Sequence, residues 1–127
     1  MFKLLLVTPN KEALARLASG LAEREDVQVS WAESGSQALN IASETSIALV
    51  VTDEKLGDMT GLQLAERLLM LNPVINCAAV SPLSPEDFHR ASEGLGLMAQ
   101  LPPRPGEEEG TYLVERLKHI KGLETSI

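Results

Sequence analysis

"ALVVTDEKLGDMTG", residues 48–61, decides the fold. An apolar run through Leu49, Val50 and Val51 reaches Thr52, then Asp53, Glu54 and Lys55 follow, and Gly57 and Gly61 punctuate a turn. With Ile47 the run reads "IALVV" over 47–51: short, apolar on both faces and closed by turn residues. That is the signature of a strand buried on both sides, as parallel sheets require. A carboxylate at the carboxyl end of such a strand lies where open α/β sheets place their ligand crevice. Asp53 is therefore the first candidate functional residue.

Working outward, "KLLLV" (3–7) and "VINCAAV" (74–80) have the same buried-strand pattern, and "LGLMAQL" (95–101) is a weaker version of it. "VQVSW" (27–31) alternates instead, which suits an edge strand. Helical periodicity fills the intervals. Leu14, Leu17, Ala18 and Leu21 form one inward stripe, and Ala38, Leu39, Ile41 and Ala42 another. Thr60 is a candidate cap for a helix through Leu71, ended by Asn72-Pro73. Ser84-Pro85-Glu86-Asp87 is a strong helix start, with a cap, a first-position proline and first-turn acids. A last helix is expected over 108–121, with Tyr112, Leu113, Leu117 and Ile120 inward and Gly122 as its stop.

Five strands alternating with five helices predict an α/β, flavodoxin-like (βα)5 three-layer sandwich. Right-handed crossovers and the edge pattern of "VQVSW" favour the parallel order 2-1-3-4-5. In that order Thr8-Pro9-Asn10 and Asp53 end neighbouring strands and share one crevice. The domain is expected to span residues 1–122, with 123–127 as a C-terminal tail.

The bulk numbers narrow the classes. A chain of 127 residues with 44% hydrophobic content fits one domain with a sizeable core. Aromatics are 3%, which leaves little for stacking on bases, and the net charge of −7 opposes a phosphate backbone. Direct nucleic-acid binding is not expected. Cys77 is the only cysteine, so no intrachain disulfide forms, and in a buried strand it reads as a core residue. The apolar run at the N-terminus is too short for a signal peptide or a membrane span, so a cytoplasmic protein without a membrane segment is expected. His89 and His119 have no second ligand nearby in the pattern, and no metal role is expected for them.

Four motifs in order resemble the receiver domain of two-component response regulators. They are "LLLV" at the start, "AESGSQAL" (32–39), "LVVTDEKLGDMTGLQL" (49–64) and "VSP" (80–82). The resemblance implies a signalling module rather than an enzyme. It would be phosphorylated at Asp53 by a histidine kinase or phosphotransfer protein, and would pass the signal to a downstream protein through the face of the fourth helix, fifth strand and fifth helix. It places Asp53 as phosphoacceptor, the Lys55 backbone carbonyl as a Mg²⁺ ligand beside Asp53, and Ser81 as the switch hydroxyl.

The sequence also departs from the family. Thr8 and Pro9 occupy the places of two acidic metal ligands. A hard divalent cation wants anionic oxygens, so Mg²⁺ affinity is expected to be poor. Leu101-Pro102 stands where a lysine-proline pair belongs, and Arg104 is the candidate substitute cation in a different geometry. Gly57 replaces a proline, and Met98 or Gln100 replaces the aromatic of the fifth strand. The expectation is an atypical receiver, weakly phosphorylated or not at all. The alternative is a phosphorylation-independent interaction module. A flavodoxin-like cofactor binder ranks third, because "TPNKEA" lacks the glycine-rich phosphate loop. The sequence leaves open whether an effector domain follows residue 127 and whether the chain dimerises.

Overall fold

Parallel strands β1 (Phe2–Val7), β2 (Val27–Ala32), β3 (Leu49–Thr52), β4 (Asn76–Val80) and β5 (Ala99–Leu101) pair in the order β2-β1-β3-β4-β5. Helices α1 (Ala15–Ala22), α2 (Gly35–Glu44), α3 (Gly61–Leu71) and α4 (Pro85–Ala91) form the crossovers, and α5 (Glu107–Lys121) follows the last strand. The computed structural model describes residues 1–121; the expected tail, 123–127, lies outside them.

Alternation along β1 explains the layers. Leu4 and Leu6 face a core shared with Leu14, Leu17 and Leu21 of the first helical segment and Leu113, Val114 and Leu117 of α5. Leu5 and Val7 face the opposite core, with Ala38 and Ala42 of α2 and Leu64, Ala65 and Leu68 of α3. Each fully buried leucine contributes roughly 1.5–3 kcal/mol, so the aliphatic core is ample despite the scarcity of aromatics.

The caps follow the sequence. Thr60 and Gln63 form a reciprocal capping box on α3. Ser84 accepts from the Asp87 N–H at the start of α4. Gly61 is required where α3 begins, because a Cβ there would collide with the Asp53 carbonyl oxygen and crowd the Thr52 side chain.

Register aligns the strand ends. Val7 pairs with Thr52, Thr52 with Ala79, and Val80 with Leu101. The residues that follow, Thr8, Asp53, Ser81 and Pro102, therefore emerge along one edge of the sheet.

Several boundaries differ from the sequence reading. The first helix opens as a 3-10 turn, Lys11–Leu14, because the Asn10 side chain accepts from the Glu12 N–H and tightens the entry. The strand expected over 47–51 is Leu49–Thr52, and that over 74–80 is Asn76–Val80. β5 is three residues long, since Gly94 and Gly96 adopt φ of 84° and 64° and turn the chain before it. Tyr112 and Ile120 are not inward: they are 49% and 47% exposed. The buried stripe of α5 is Gly110, Leu113, Val114 and Leu117; Tyr112 lies beside it, and Ile120 follows its last member by a turn. Among the described residues, no helix is long and apolar enough to cross a membrane.

Candidate functional site

Asp53 directly follows β3, and its backbone N–H donates to the Val7 carbonyl at 2.9 Å, which fixes it against the end of β1. The end of β1 carries Thr8, 1% exposed. The Thr8 Oγ1 lies 2.8 Å from Asp53 Oδ2 and 3.0 Å from the Asn10 carbonyl oxygen. A hydroxyl has one proton to donate, and the charged, nearer carboxylate is the stronger acceptor. The Asn10 N–H in turn donates to Thr8 Oγ1 at 3.0 Å. Asp53 Oδ1 accepts from the Glu54 N–H at 2.8 Å. Both carboxylate oxygens thus have protein donors.

The topology brings Thr8, Pro9 and Asp53 to one crevice, as expected. Pro9 is exposed and its side chain has no ligand atom. Among the described residues there is no group of three or more His, Cys, Asp or Glu side chains able to hold a metal ion. The donors at hand are the Asp53 carboxylate, the neutral Thr8 hydroxyl and backbone carbonyls, and Glu54, next in the chain, lines the adjoining cavity with Lys55 and Ser81.

Lys55 pairs with Thr60 in an isolated antiparallel bridge that closes the loop after β3. Its side chain lines a cavity of about 200 Å³ with Thr60, Leu62, Ser81, Leu83 and Phe88. Ser81 follows β4 and is buried, and its Oγ accepts from the Leu83 N–H at 3.1 Å. That hydroxyl stabilises its own loop.

Leu101 is 1% exposed and belongs to the core beside α1 and α5. Arg104 lies beyond it, at φ 53°, and lines a surface cleft with Glu12, Ala13, Ala15, Arg16 and Pro105. It forms no ion pair with Asp53. The structure therefore brings Asp53, Lys55 and Ser81 to the same end of the sheet and sets Arg104 against the start of α1.

Two sets of contacts escaped the sequence reading. Asp58, in the loop after β3, accepts from the Ser36 and Gly35 N–H groups at 3.0 Å each and caps α2 from a distant loop. Those donors hold its carboxyl below the ordinary value. No local motif marks this, because the partners are 22 and 23 positions away. Gln100 donates from Nε2 to the carbonyl oxygens of Leu83 at 2.8 Å and Ser81 at 3.3 Å. Cys77 is the inert core thiol its sequence context suggested, with burial pushing it up to about 12.

A buried parallel sheet with an aspartate at the end of its central strand defines a class, and comparison with known proteins specifies it. Residues 4–102 match the response regulator receiver domain, so the chain belongs to that family. A response regulator receiver protein of Anaeromyxobacter sp. (strain Fw109-5) is 29% identical over 102 residues, covering 80% of this chain and 42% of that relative. Among solved structures, a CheY-like receiver domain protein of Methanospirillum hungatei JF-1 superimposes with a TM-score of 0.83 at 20% identity, covering 96% of this chain and 98% of the other. The chemotaxis response regulator CheY4 of Vibrio cholerae gives 0.81 at 17% identity, covering 92% and 98%.

Proposed function

We propose that this receiver domain serves two-component signalling in the cytoplasm with Asp53 in the acceptor position but a pocket poorly equipped for phosphoryl transfer. The observation that carries the proposal is the Thr8 hydroxyl on Asp53 Oδ2. In the reaction the family performs, an aspartate oxygen attacks phosphorus as the bond to the donor nitrogen breaks, and cations screen the charge. Here Thr8 and Pro9 add no anionic ligand for Mg²⁺, and a dication at Oδ2 must share that oxygen with the Thr8 hydroxyl. The donor set does not fit a resident Mg²⁺. Leu101, in the lysine place, is a core residue, and Arg104 does not reach the carboxylate. Asp53 phosphorylation by a histidine kinase or phosphotransfer protein is then weak or absent.

The second reading is a phosphorylation-independent interaction module, bound by a downstream protein on the α4-β5-α5 face. The burial of Leu101 in the core favours it, since the place of the phosphate-pairing lysine is given over to packing. Intact mass after incubation with Mg²⁺ and acetyl phosphate, or with a phosphorylated kinase, separates the two. A substantial adduct that disappears in Asp53→Ala supports a working switch. A negligible adduct, with no measurable Mg²⁺ binding, supports the interaction module.

A further inference from the structure

The loop between β4 and α4, residues 81–84, is held from β5 and not from Asp53. Four hydrogen bonds define it. The Ser81 N–H donates to the Leu101 carbonyl at 3.0 Å, and the Leu83 N–H donates to Ser81 Oγ at 3.1 Å. The other two come from Gln100 Nε2, to the carbonyls of Leu83 and Ser81. Both partners are carbonyl oxygens, so only the amino end of the Gln100 amide satisfies them. Gln100 is level with Ala79 in the β4–β5 register, and its side chain reaches forward past the end of β4.

Gln100 has a second position of consequence. It lines a groove of about 610 Å³ between α4 and β5, with Phe88, His89, Gly96 and Leu97. Phe88 also lines the cavity that contains Ser81 and Lys55. The loop that Gln100 holds leads directly into Ser84, the cap of α4. A side chain that fixes this loop therefore fixes where α4 starts, and with it the shape of the groove.

We propose that Gln100 is a latch that sets the β4–α4 loop, and hence the α4–β5 groove, in one conformation irrespective of the state of Asp53. It is a positioning residue, acting through Leu83 and Ser81. The inference deepens the interaction-module reading. It is read on unphosphorylated protein, so a phosphoryl adduct at Asp53 would sink that reading and leave the latch standing.

Residue-resolved amide hydrogen exchange on the full chain tests it, comparing the wild type with Gln100→Met, Gln100→Glu and Asp53→Asn. Gln100→Met keeps the length of the side chain and removes the donor. Gln100→Glu turns a carboxylate oxygen toward the two carbonyls. Loss of both bonds is expected to speed exchange at the Leu83 N–H about ten-fold in the Met variant, and more in the Glu variant. The amides of β1 and β3 keep their wild-type rates, and Asp53→Asn leaves Leu83 unchanged. Unchanged Leu83 exchange in both Gln100 variants would overturn the latch. So would a uniform acceleration across the sheet, which would give Gln100 an ordinary share of stability, or acceleration at Leu83 in Asp53→Asn equal to that in Gln100→Met.

Discussion

At the residue scale the site turns on one hydroxyl. Thr8 is buried, donates to Asp53 and accepts from Asn10, so it ties the loop after β1 to the end of β3. Thr8→Val keeps the shape and removes this link. A hydrogen bond to a charged group is worth about 1.5–3 kcal/mol, so denaturant unfolding of the variant should show a loss near the lower end at this partly exposed carboxylate. Replacing both residues, Thr8→Asp with Pro9→Asp, crowds carboxylates around Asp53. That variant should be less stable without metal and regain stability as Mg²⁺ is added, by ~2.7 kcal/mol at a hundred times its Kd. The melting temperature of the wild type should stay nearly flat over the same titration. The identity of Thr8 was plain in the sequence, and the strand order put it in one crevice with Asp53, but the hydrogen bond between them was not legible. Asp58 was not legible, because what it caps is brought to it only by the folded sheet.

At the element scale, helix and strand types could be read from periodicity, and their ends could not. β5 shrank to three residues because two glycines with positive φ turn the chain just before it, a conformation the apolar pattern of "LGLMAQL" does not encode. Tyr112 and Ile120 continued the apolar composition of α5 without continuing its packing. Two junctions offer tests. Gly61→Ala places a methyl against the Asp53 carbonyl, and thermal or denaturant unfolding should register a loss of about 1–3 kcal/mol from the forced shift. At the start of β2, Asp26 Oδ2 takes Lys118 Nζ of α5 at 2.9 Å, while Oδ1 takes Arg24 Nε at 3.3 Å. The Lys118 hydrogen bond leads in holding the Asp26 carboxyl below its ordinary 3.8, with Arg24 adding to it and partial burial opposing. A carboxyl depressed in the folded state stabilises above its unfolded pKa, and that contribution is lost as pH falls through the folded value. Stability should therefore drop below pH 3.8 by less in Asp26→Asn than in the wild type. The difference should narrow in 1 M salt, since the pair is partly exposed.

At the scale of the whole molecule, the sheet order and the crevice were legible from five apolar runs and one edge pattern. The family followed from motifs spread along most of the chain. What could not be read was the state of the pocket. The sequence shows missing acids and a missing lysine. It does not show that the Thr8 hydroxyl satisfies Asp53, that Leu101 is spent on the core, or that Gln100 bonds to the loop between β4 and α4. Each of those depends on side chains from separate strands meeting at one sheet edge. The molecule keeps the receiver architecture, while the contacts around its aspartate are satisfied from within. The most direct test is intact mass after incubation with Mg²⁺ and acetyl phosphate, run side by side on the wild type and the Thr8→Asp, Pro9→Asp variant. The account predicts little or no phosphoryl adduct on the wild type and a clear gain in the variant, abolished by Asp53→Ala. Efficient, Mg²⁺-dependent phosphorylation of wild-type Asp53 would contradict it.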